Sequence, residues 1–306
     1  LGFDRCDVAV VTNIGLGDHL GLSYISTVED LSVVKRVIVQ NVKPVSGVAV
    51  LNAADPMVAR MADSCPGTVT FFACDRNHPL MAMHRAQRKR VVYRDGDALV
   101  ASGGGVEHRL ALAAIPVTQN GAIGFQVENA MAAVAAAWAL GVDWATIRNG
   151  LASFVNDAQT APGRFNVFNY RGATLIADYG HNPDAMRALV SAVNALPANR
   201  RSVVISGAGD RRDQDIREQT AILGDAFDEV ILYQDACQRG RADGEVLRLL
   251  REGLQGTSRV QHTEEIQGEF NAIDTALARL QAGDLCLVLV DQVDEALAHL
   301  RQRVAD

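Results

Sequence analysis

The sequence of 306 residues predicts an α/β protein in two parts, each organised around a mostly parallel sheet. Two observations lead to this prediction. Short apolar runs rich in β-branched residues alternate with longer segments of helical periodicity, which is the pattern of βαβ units. The chain is also about twice the usual length of one domain, and 48% of its residues are hydrophobic, so it can bury two cores.

The first part opens with alternating strands and helices. Residues 7–11 form a short β-branched run before a glycine-rich turn, as expected of a buried parallel strand. The capping box Thr27 to Asp30 predicts a helix that runs to about Asn41. Two more strands are predicted over 47–51 and 68–73, with a helix that begins near Asp55-Pro56 between them.

Residues 91–118 predict a small antiparallel excursion. The runs 91–94 and 98–100 flank Asp95-Gly96-Asp97, which is a hairpin signal. Two helices are predicted after it, over about 126–140 and about 143–153.

The polar segment 156–163 contains Pro162-Gly163 and is the best linker candidate. We therefore expect a first domain over 1–162 and a second over 163–306. A hairpin over 165–178 opens the second domain. Predicted strands with helices between them then indicate a doubly wound, Rossmann-like fold. These strands are 202–206, 229–233, 259–262 and 284–290.

Charge and composition exclude several classes of protein. A net charge of −7 argues against general binding to nucleic acid or to an anionic membrane surface. The apolar runs are too short for a membrane span and no leader opens the chain, so we expect a cytoplasmic protein. The five cysteines form no CxxC pair, which indicates neither a disulfide framework nor a zinc site.

Lysine is scarce. Only Lys35, Lys43 and Lys89 occur among the 29 basic residues, and none of them follows a glycine. The phosphate-binding loop GxxxxGK[ST] is therefore absent from these 306 residues. Because the chain also starts at Leu1 rather than Met, we expect a fragment whose missing part carries chemistry.

Two of the loops that follow predicted strands carry acidic and imidazole groups together. In the first, residues 12–21, Asp18 and His19 form a plausible ligand pair for a metal; alternatively, Asp18 caps the turn and His19 packs over the sheet. In the second, residues 178–183, Asp178 could hold ribose hydroxyls, with His181 facing the same cleft. The alternative there is a capped βα turn with a solvated aspartate.

The third loop, residues 207–213, combines glycines with Arg211 and Arg212, which suits an anionic group near a helix N-terminus. Its acids, Asp210 and Asp213, could instead form local salt bridges that make the loop purely structural. Lys35 lies on the first helix, either as a surface lysine or as a partly buried lysine of altered reactivity.

In order along the chain, these segments resemble the Mur ligase superfamily, and within it the Mur-ligase-like half of the cyanophycin synthetase family. The resemblance covers essentially the whole chain. It is carried by TNIGLGDHLG (12–21), VLNAADP (50–56), FQVENAMAAVAAAWALG (125–141), PGRFN (162–166), DYGHNP (178–183), GDRRDQDIRE (209–218) and RGRADGE (239–245).

The resemblance implies an ATP-dependent amide ligase that forms an acyl phosphate from a substrate carboxylate and then lets an amine displace phosphate. The resemblance to cyanophycin synthetases implies that this half of the enzyme joins arginine to the β-carboxyl of backbone aspartate in polyaspartate. ATP and Mg²⁺ are the implied cofactors. The implied partners are the cyanophycin chain and the upstream ATP-grasp and P-loop regions of the same polypeptide, and we also expect a homo-oligomer.

Several roles follow from the resemblance. His19, with its neighbour Asp18, matches a Mg²⁺-binding motif, and Lys35 falls near the position of a carbamylated lysine. Asn129 matches the asparagine that meets the adenine, and Gln126 stands where the family has Asn. Arg164 matches an arginine that reaches the phosphates. Residues Asp178 and His181 match a nucleotide-facing segment, and the GDRRD stretch adds Asp210 and Arg211.

Three interpretations remain open. The chain could be part of an arginine-adding ligase that is inactive without its P-loop. It could belong to an enzyme that polymerises β-aspartyl-arginine dipeptide, in which this half is not used for chemistry. It could also be a structural or oligomerisation module that keeps the nucleotide-domain fold.

Overall fold

A computed structural model describes residues 4–15, 25–234 and 239–305. These residues form two compact units that divide between Val155 and Asn156. We predicted a boundary after residue 162 instead. The intervening segment packs with the second unit, because Asn156 Nδ2 donates to the Arg164 carbonyl and Arg301 Nη2 donates to the Ala158 carbonyl.

The described residues of the first unit form a six-stranded sheet with helices packed on it. The strands are β1 (Val8–Val11), β2 (Val48–Asn52), β3 (Thr68–Ala73), β4 (Val91–Asp95), β5 (Ala98–Gly103) and β6 (Val106–Ala111). The helices are α1 (Val28–Gln40), α2 (Pro56–Arg60), α3 (Pro79–Ala86), α4 (Gly124–Ala139) and α5 (Trp144–Ser153). Strand order follows chain order, with β1 to β4 parallel and β4 to β6 antiparallel.

Local sequence explains where these elements begin. The Thr27 hydroxyl accepts from the Asp30 backbone N–H, while the Asp30 carboxylate accepts from the Thr27 N–H, so α1 starts with a complete capping box. Asp55 caps α2 by accepting from the Met57 and Val58 backbone N–H groups, and Pro56 occupies the first turn of that helix. Strand β2 is buried at every position, as expected of a parallel strand covered on both faces.

The described residues of the second unit also form a six-stranded sheet. The strands are β7 (Asn166–Tyr170), β8 (Ala173–Asp178), β9 (Arg201–Ile205), β10 (Glu229–Gln234), β11 (His262–Gln267) and β12 (Leu285–Leu289). The helices are α6 (Pro183–Asn194), α7 (Asp213–Gly224), α8 (Glu245–Gly253), α9 (Glu269–Arg279) and α10 (Val293–Ala305).

The strand order of this sheet is β11-β10-β9-β12-β8-β7, and all neighbours are parallel except the hairpin of β7 and β8. Helix α7 packs against α6 and α8, whereas α9 packs against α10. Right-handed crossovers place these two sets of helices on opposite faces, because the chain reverses direction when it returns from β11 to β12. The loops after β9 and β12 therefore leave the sheet on opposite faces, which creates a crevice at the carboxyl ends of the strands.

The α/β class, the two mostly parallel sheets and the antiparallel excursion are confirmed. One strand was placed wrongly: we predicted 259–262, and β11 is His262–Gln267. This strand lies at a sheet edge and is largely polar and exposed, so it has no apolar run to mark it. Every helix in the described parts of the chain is too short or too polar to cross a bilayer.

Replacing Thr27 by Ala removes one half of the capping box and should destabilise the first unit by about 1 kcal/mol. Both tryptophans, Trp138 and Trp144, lie in that unit, so tryptophan fluorescence during urea unfolding reports its stability selectively. Thr27→Ser keeps the hydroxyl and should unfold at nearly the wild-type urea concentration. Equal destabilisation by both substitutions would show that the hydroxyl is not the stabilising group.

Candidate functional site at the carboxyl edge of the second sheet

Side chains from several loops meet at the carboxyl edge of the second unit's sheet. We call them the carboxyl-edge cluster, and its members are Arg164, Asp178, Tyr179, His181, Asp210, Arg239 and Asp291. They follow β8, β9, β10 and β12 or, for Arg164, precede β7. The cluster therefore occupies the crevice where doubly wound sheets bind ligands.

Asp178 ends β8 and is 8% exposed. Its Oδ2 accepts a hydrogen bond of 2.8 Å from the Phe165 N–H. Burial raises the pKa of the Asp178 carboxyl to about 6, although the Phe165 N–H, the Arg164 charge and the Gly180 N–H all act to lower it. This carboxyl group can therefore change its protonation state near neutral pH.

His181 is fixed by its own loop. Its Nδ1 lies 2.8 Å from the Tyr179 carbonyl, and because a carbonyl only accepts, Nδ1 is the nitrogen that carries the proton. Its Nε2 lies 3.5 Å from Asp291 Oδ1. The imidazole and Tyr179 rings are 4.0 Å apart between centroids. As predicted, Asn182 caps α6 and Pro183 occupies its first turn.

Arg239 joins two loops of the cluster. Its Nη1 lies 3.3 Å from Asp210 Oδ1 and its Nη2 lies 3.2 Å from Asp291 Oδ1. Burial lowers the pKa of Arg239, but a hydrogen bond with Tyr179 and the charges of both aspartates more than offset this and raise it. Arg239 is therefore held as a cation between two carboxylates.

The backbone of Asp291 is held by hydrogen bonds to a buried glutamate. Glu269, which is 3% exposed, accepts the Asp291 N–H at 2.8 Å and the Gln292 N–H at 3.1 Å. These two bonds fix the loop after β12, and they satisfy a buried carboxylate that would otherwise be costly. The position of Asp291 thus depends on a side chain from the start of α9.

The glycine loop after β9 is tied down by Arg241. Its Nε donates to the Gly209 carbonyl at 2.7 Å, and its Nη2 donates to the Arg211 carbonyl at 2.6 Å. Its Nη1 also lies 2.8 Å from Asp213. The loop acids thus pair with Arg239 and Arg241, outside the loop, which corrects our alternative of a loop closed only by local salt bridges.

Arg164 is exposed, and its guanidinium lies 5.9 Å from the Tyr179 ring centroid.

The first unit holds the other predicted site residues. Asn129 Nδ2 donates to Gln126 Oε1 at 3.1 Å, so these two amides of α4 act as a pair. Between them in sequence is Glu128, whose carboxyl pKa burial raises. Lys35 is exposed on α1, next to exposed Val34. Of the two alternatives for Lys35, the structure therefore supports the surface lysine and not the partly buried one.

The predicted metal ligands Asp18 and His19 lie outside the described residues. Within residues 4–15, 25–234 and 239–305, no group of three or more His, Cys, Asp and Glu side chains is placed to hold a metal ion. The Mg²⁺ site therefore stays a prediction.

Three members of the cluster were not predicted as site residues, namely Tyr179, Arg239 and Asp291, and neither was Glu269, which holds the loop of Asp291. Asp291 follows β12 directly, so the rule that ligands lie beyond strand ends could have found it. Arg239 opens the RGRADGE stretch that carries the family resemblance. Glu269 has no local signal, because it acts on the backbone of residues 22 and 23 positions away.

Comparison with known proteins matches the two units of the chain to two different family models. Residues 2–137 match the family "Mur ligase middle domain", and residues 163–289 match "Mur ligase, glutamate ligase domain". The chain therefore belongs to the Mur ligase family.

Within that family it is a homologue of the cyanophycin synthetases, as the resemblance implied. It is 37% identical to the cyanophycin synthetase of Synechocystis, over 99% of this chain and 34% of the relative. It is 36% identical to that of Geminocystis herdmanii, over 96% of this chain and 33% of the relative. The chain thus spans about a third of the length of these relatives.

A solved structure of E. coli FolC in complex with ADP shares the fold. Its TM-score is 0.69 and its identity 24%, over 98% of this chain and 62% of FolC.

Replacing Asp178 by Asn should remove a pH dependence of stability. The pKa of Asp178 is raised in the folded protein, so the folded state binds its proton more tightly than the unfolded state. The stability that this proton provides is present below about pH 4 and is lost as pH rises through about 6. We expect the free energy of unfolding of wild type, relative to Asp178→Asn, to fall by up to about 3 kcal/mol over this range.

Circular dichroism during urea unfolding at several pH values measures this difference. Asp157→Asn is the matched control, because hydrogen bonds from Thr160 and Gln159 lower the pKa of Asp157 and reverse the sign of its dependence. A wild-type to Asp178→Asn difference that does not change with pH would contradict the assignment.

Proposed function

We propose that this chain is part of an ATP-dependent amide ligase that joins arginine to the β-carboxyl of polyaspartate. The observation that carries the proposal is the carboxyl-edge cluster. Its residues Arg164, Asp178 and His181 lie at the crevice where doubly wound sheets bind ligands, and each belongs to a segment that carries the family resemblance. The names of the cyanophycin synthetase relatives support the same chemistry.

The residues present fit a nucleotide. Asp178 and His181 offer a carboxylate and an imidazole to ribose hydroxyls, and the exposed guanidinium of Arg164 suits phosphate oxygens. In the first unit, the amides of Gln126 and Asn129 offer both donors and acceptors to adenine. ATP would supply the activation of the substrate carboxylate. Asp18, His19 and Lys35 keep their proposed roles in holding Mg²⁺ and the reacting groups.

The proposal of an arginine substrate rests on the family resemblance, because the carboxylates of the cluster are already paired with an arginine of the chain itself. Asp210 and Asp291 already hold one guanidinium, that of Arg239, between them. Carboxylates placed in this way recognise a planar guanidinium through charge-assisted hydrogen bonds. Exposed Asp210 and the glycine loop with Arg211 form the side of the site to which we assign the charged substrates.

We expect these 306 residues alone not to use ATP, because they contain no Gly-Lys pair and thus no loop to bind the β and γ phosphates. The measurement is release of phosphate from ATP with polyaspartate and arginine present. A longer polypeptide that joins this chain to a P-loop region should release phosphate and form amide bonds. Amide formation by the isolated chain would contradict the proposal.

Arg164→Ala in that longer, active polypeptide should lower ATP-dependent arginine incorporation on the order of 10- to 100-fold, the cost of one charge-assisted contact to phosphate. Arg171→Ala is the matched control. Arg171 is also an exposed arginine of the second unit stacked on a tyrosine, with 5.0 Å between its guanidinium and the Tyr170 ring centroid. Both variants should melt at the wild-type temperature. Equal activity of the two would remove Arg164 from the site.

The substrate is tested by supplying either aspartate, arginine and a primer, or β-aspartyl-arginine dipeptide alone. Polymer formed from the separate amino acids, with arginine incorporation sensitive to Arg164→Ala, supports the proposal. Polymer formed from the dipeptide alone, insensitive to that substitution, would favour a role for this chain outside the chemistry.

A further inference from the structure

A second concave surface lies in the first unit, and none of the residues assigned above lines it. It is a cleft of about 900 Å³. Its walls include Gly67 and Thr68, which precede or begin β3, and residues 88–90, which precede β4. The cleft therefore opens at the amino-terminal edge of the sheet, the edge opposite to the carboxyl ends of its parallel strands.

Cationic side chains dominate this surface. Arg60, Arg88, Lys89 and Arg90 line it, together with a single carboxylate, that of Asp63. We call it the basic cleft. None of the four cations forms an ion pair with a carboxylate within residues 4–15, 25–234 and 239–305. Four cations that share one cleft without carboxylate partners repel each other, and a bound anion relieves that repulsion.

The backbone at the cleft adopts an unusual conformation. Arg88 has φ of 55°, in the left-handed region, where the residue after a helix C-terminus is usually glycine. The turn is closed by a hydrogen bond of 2.9 Å from the Lys89 N–H to the His84 carbonyl. A bulky residue in this conformation stores strain, and strain of this kind concentrates at binding sites. Here it brings three consecutive cations to one wall.

One cation is held in place by an aromatic wall. The Arg90 guanidinium lies 4.6 Å from the Trp138 ring centroid, and its Nη1 donates to the Trp138 carbonyl at 3.2 Å. A Cβ at Gly103 would come within 2.9 Å of both side chains, so only glycine permits this packing. Arg90 is thus ordered in advance of any ligand, which lowers the entropic cost of binding.

A buried imidazole is also part of the cleft wall. His84 lines the cleft, is 5% exposed, and its Nδ1 has no hydrogen-bond partner in the described part of the chain. Buried polar atoms usually have a partner, so this unpaired nitrogen is an exception inside the wall of the cleft.

We propose that the basic cleft binds a small polyanion that presents two or more carboxylate or phosphate groups. The cations come from two separate segments, the end of α2 and the turn after α3, and with the single carboxylate of Asp63 they leave more positive charge than one monovalent group neutralises. The site is independent of the ligase site proposed above, because it uses none of its residues.

The test uses the 306-residue chain with Trp144→Phe, which leaves Trp138 in the cleft as the sole tryptophan. The probes are inorganic tripolyphosphate and tetra-aspartate, with tetra-alanine as the neutral control. We expect at least one anionic probe to change Trp138 fluorescence saturably, with an affinity that falls as salt rises. Response to tripolyphosphate alone identifies phosphate as the group, and response to tetra-aspartate alone identifies carboxylate.

The triple variant Arg60→Gln, Arg88→Asn, Lys89→Gln should weaken binding about tenfold or more. Asn is chosen at position 88 because it tolerates the left-handed conformation. The control variant Arg5→Gln, Arg148→Gln, Arg171→Gln removes the same charge from exposed positions outside the cleft and should bind like wild type. Equal weakening by both variants, or no fluorescence change with either anion at low salt, would overturn the proposal.

Discussion

The carboxylate of Asp178 is the junction on which the second unit's site depends. Its side chain accepts the Phe165 N–H, and its backbone carbonyl accepts the Val290 N–H from the end of β12. The next residue, Tyr179, donates its N–H to the Gly163 carbonyl. These two adjacent residues therefore hold together the turn before β7, the loop after β8 and the end of β12. Burial of this charge is tolerated because backbone N–H groups and nearby Arg164 partly compensate for it.

Arginine does most of the positioning around that junction. Exposed ion pairs contribute little to stability individually, so the pairs of Arg239 and Arg241 matter mainly for where they hold the loops. Arg241 bonds two carbonyls of the glycine loop, and Arg239 connects that loop to the one after β12. Lysine could not replace either of them, because its single ammonium lacks the fork of donors that reaches two partners in different directions.

The sequence predicted the residues of this site whose contacts are local, and it missed those whose contacts join distant parts of the chain. Asp178, His181 and the N-cap Asn182 were predicted because each sits at a strand end or a helix start, where local patterns are strong. Strand β3 was predicted with its observed limits for the same reason. Glu269 was not, because its role is set by a fold that brings α9 under the end of β12. The edge strand β11 failed too, since its pairing with β10, and not its own hydrophobicity, makes it a strand.

Helix dipoles offer another explanation for the basic cleft, because the negative charge at helix ends could offset the positive charge of its side chains. Helices α2 and α3 end at the cleft, and basic residues near helix C-terminal ends are favoured by the partial negative charge there. Each such end carries roughly half a negative charge at most, and less for a helix as short as α2. Together with Asp63, the two ends therefore offset about two of the four cations. The remaining positive charge has no carboxylate partner among the described residues of the first unit, whereas an anionic ligand would neutralise it.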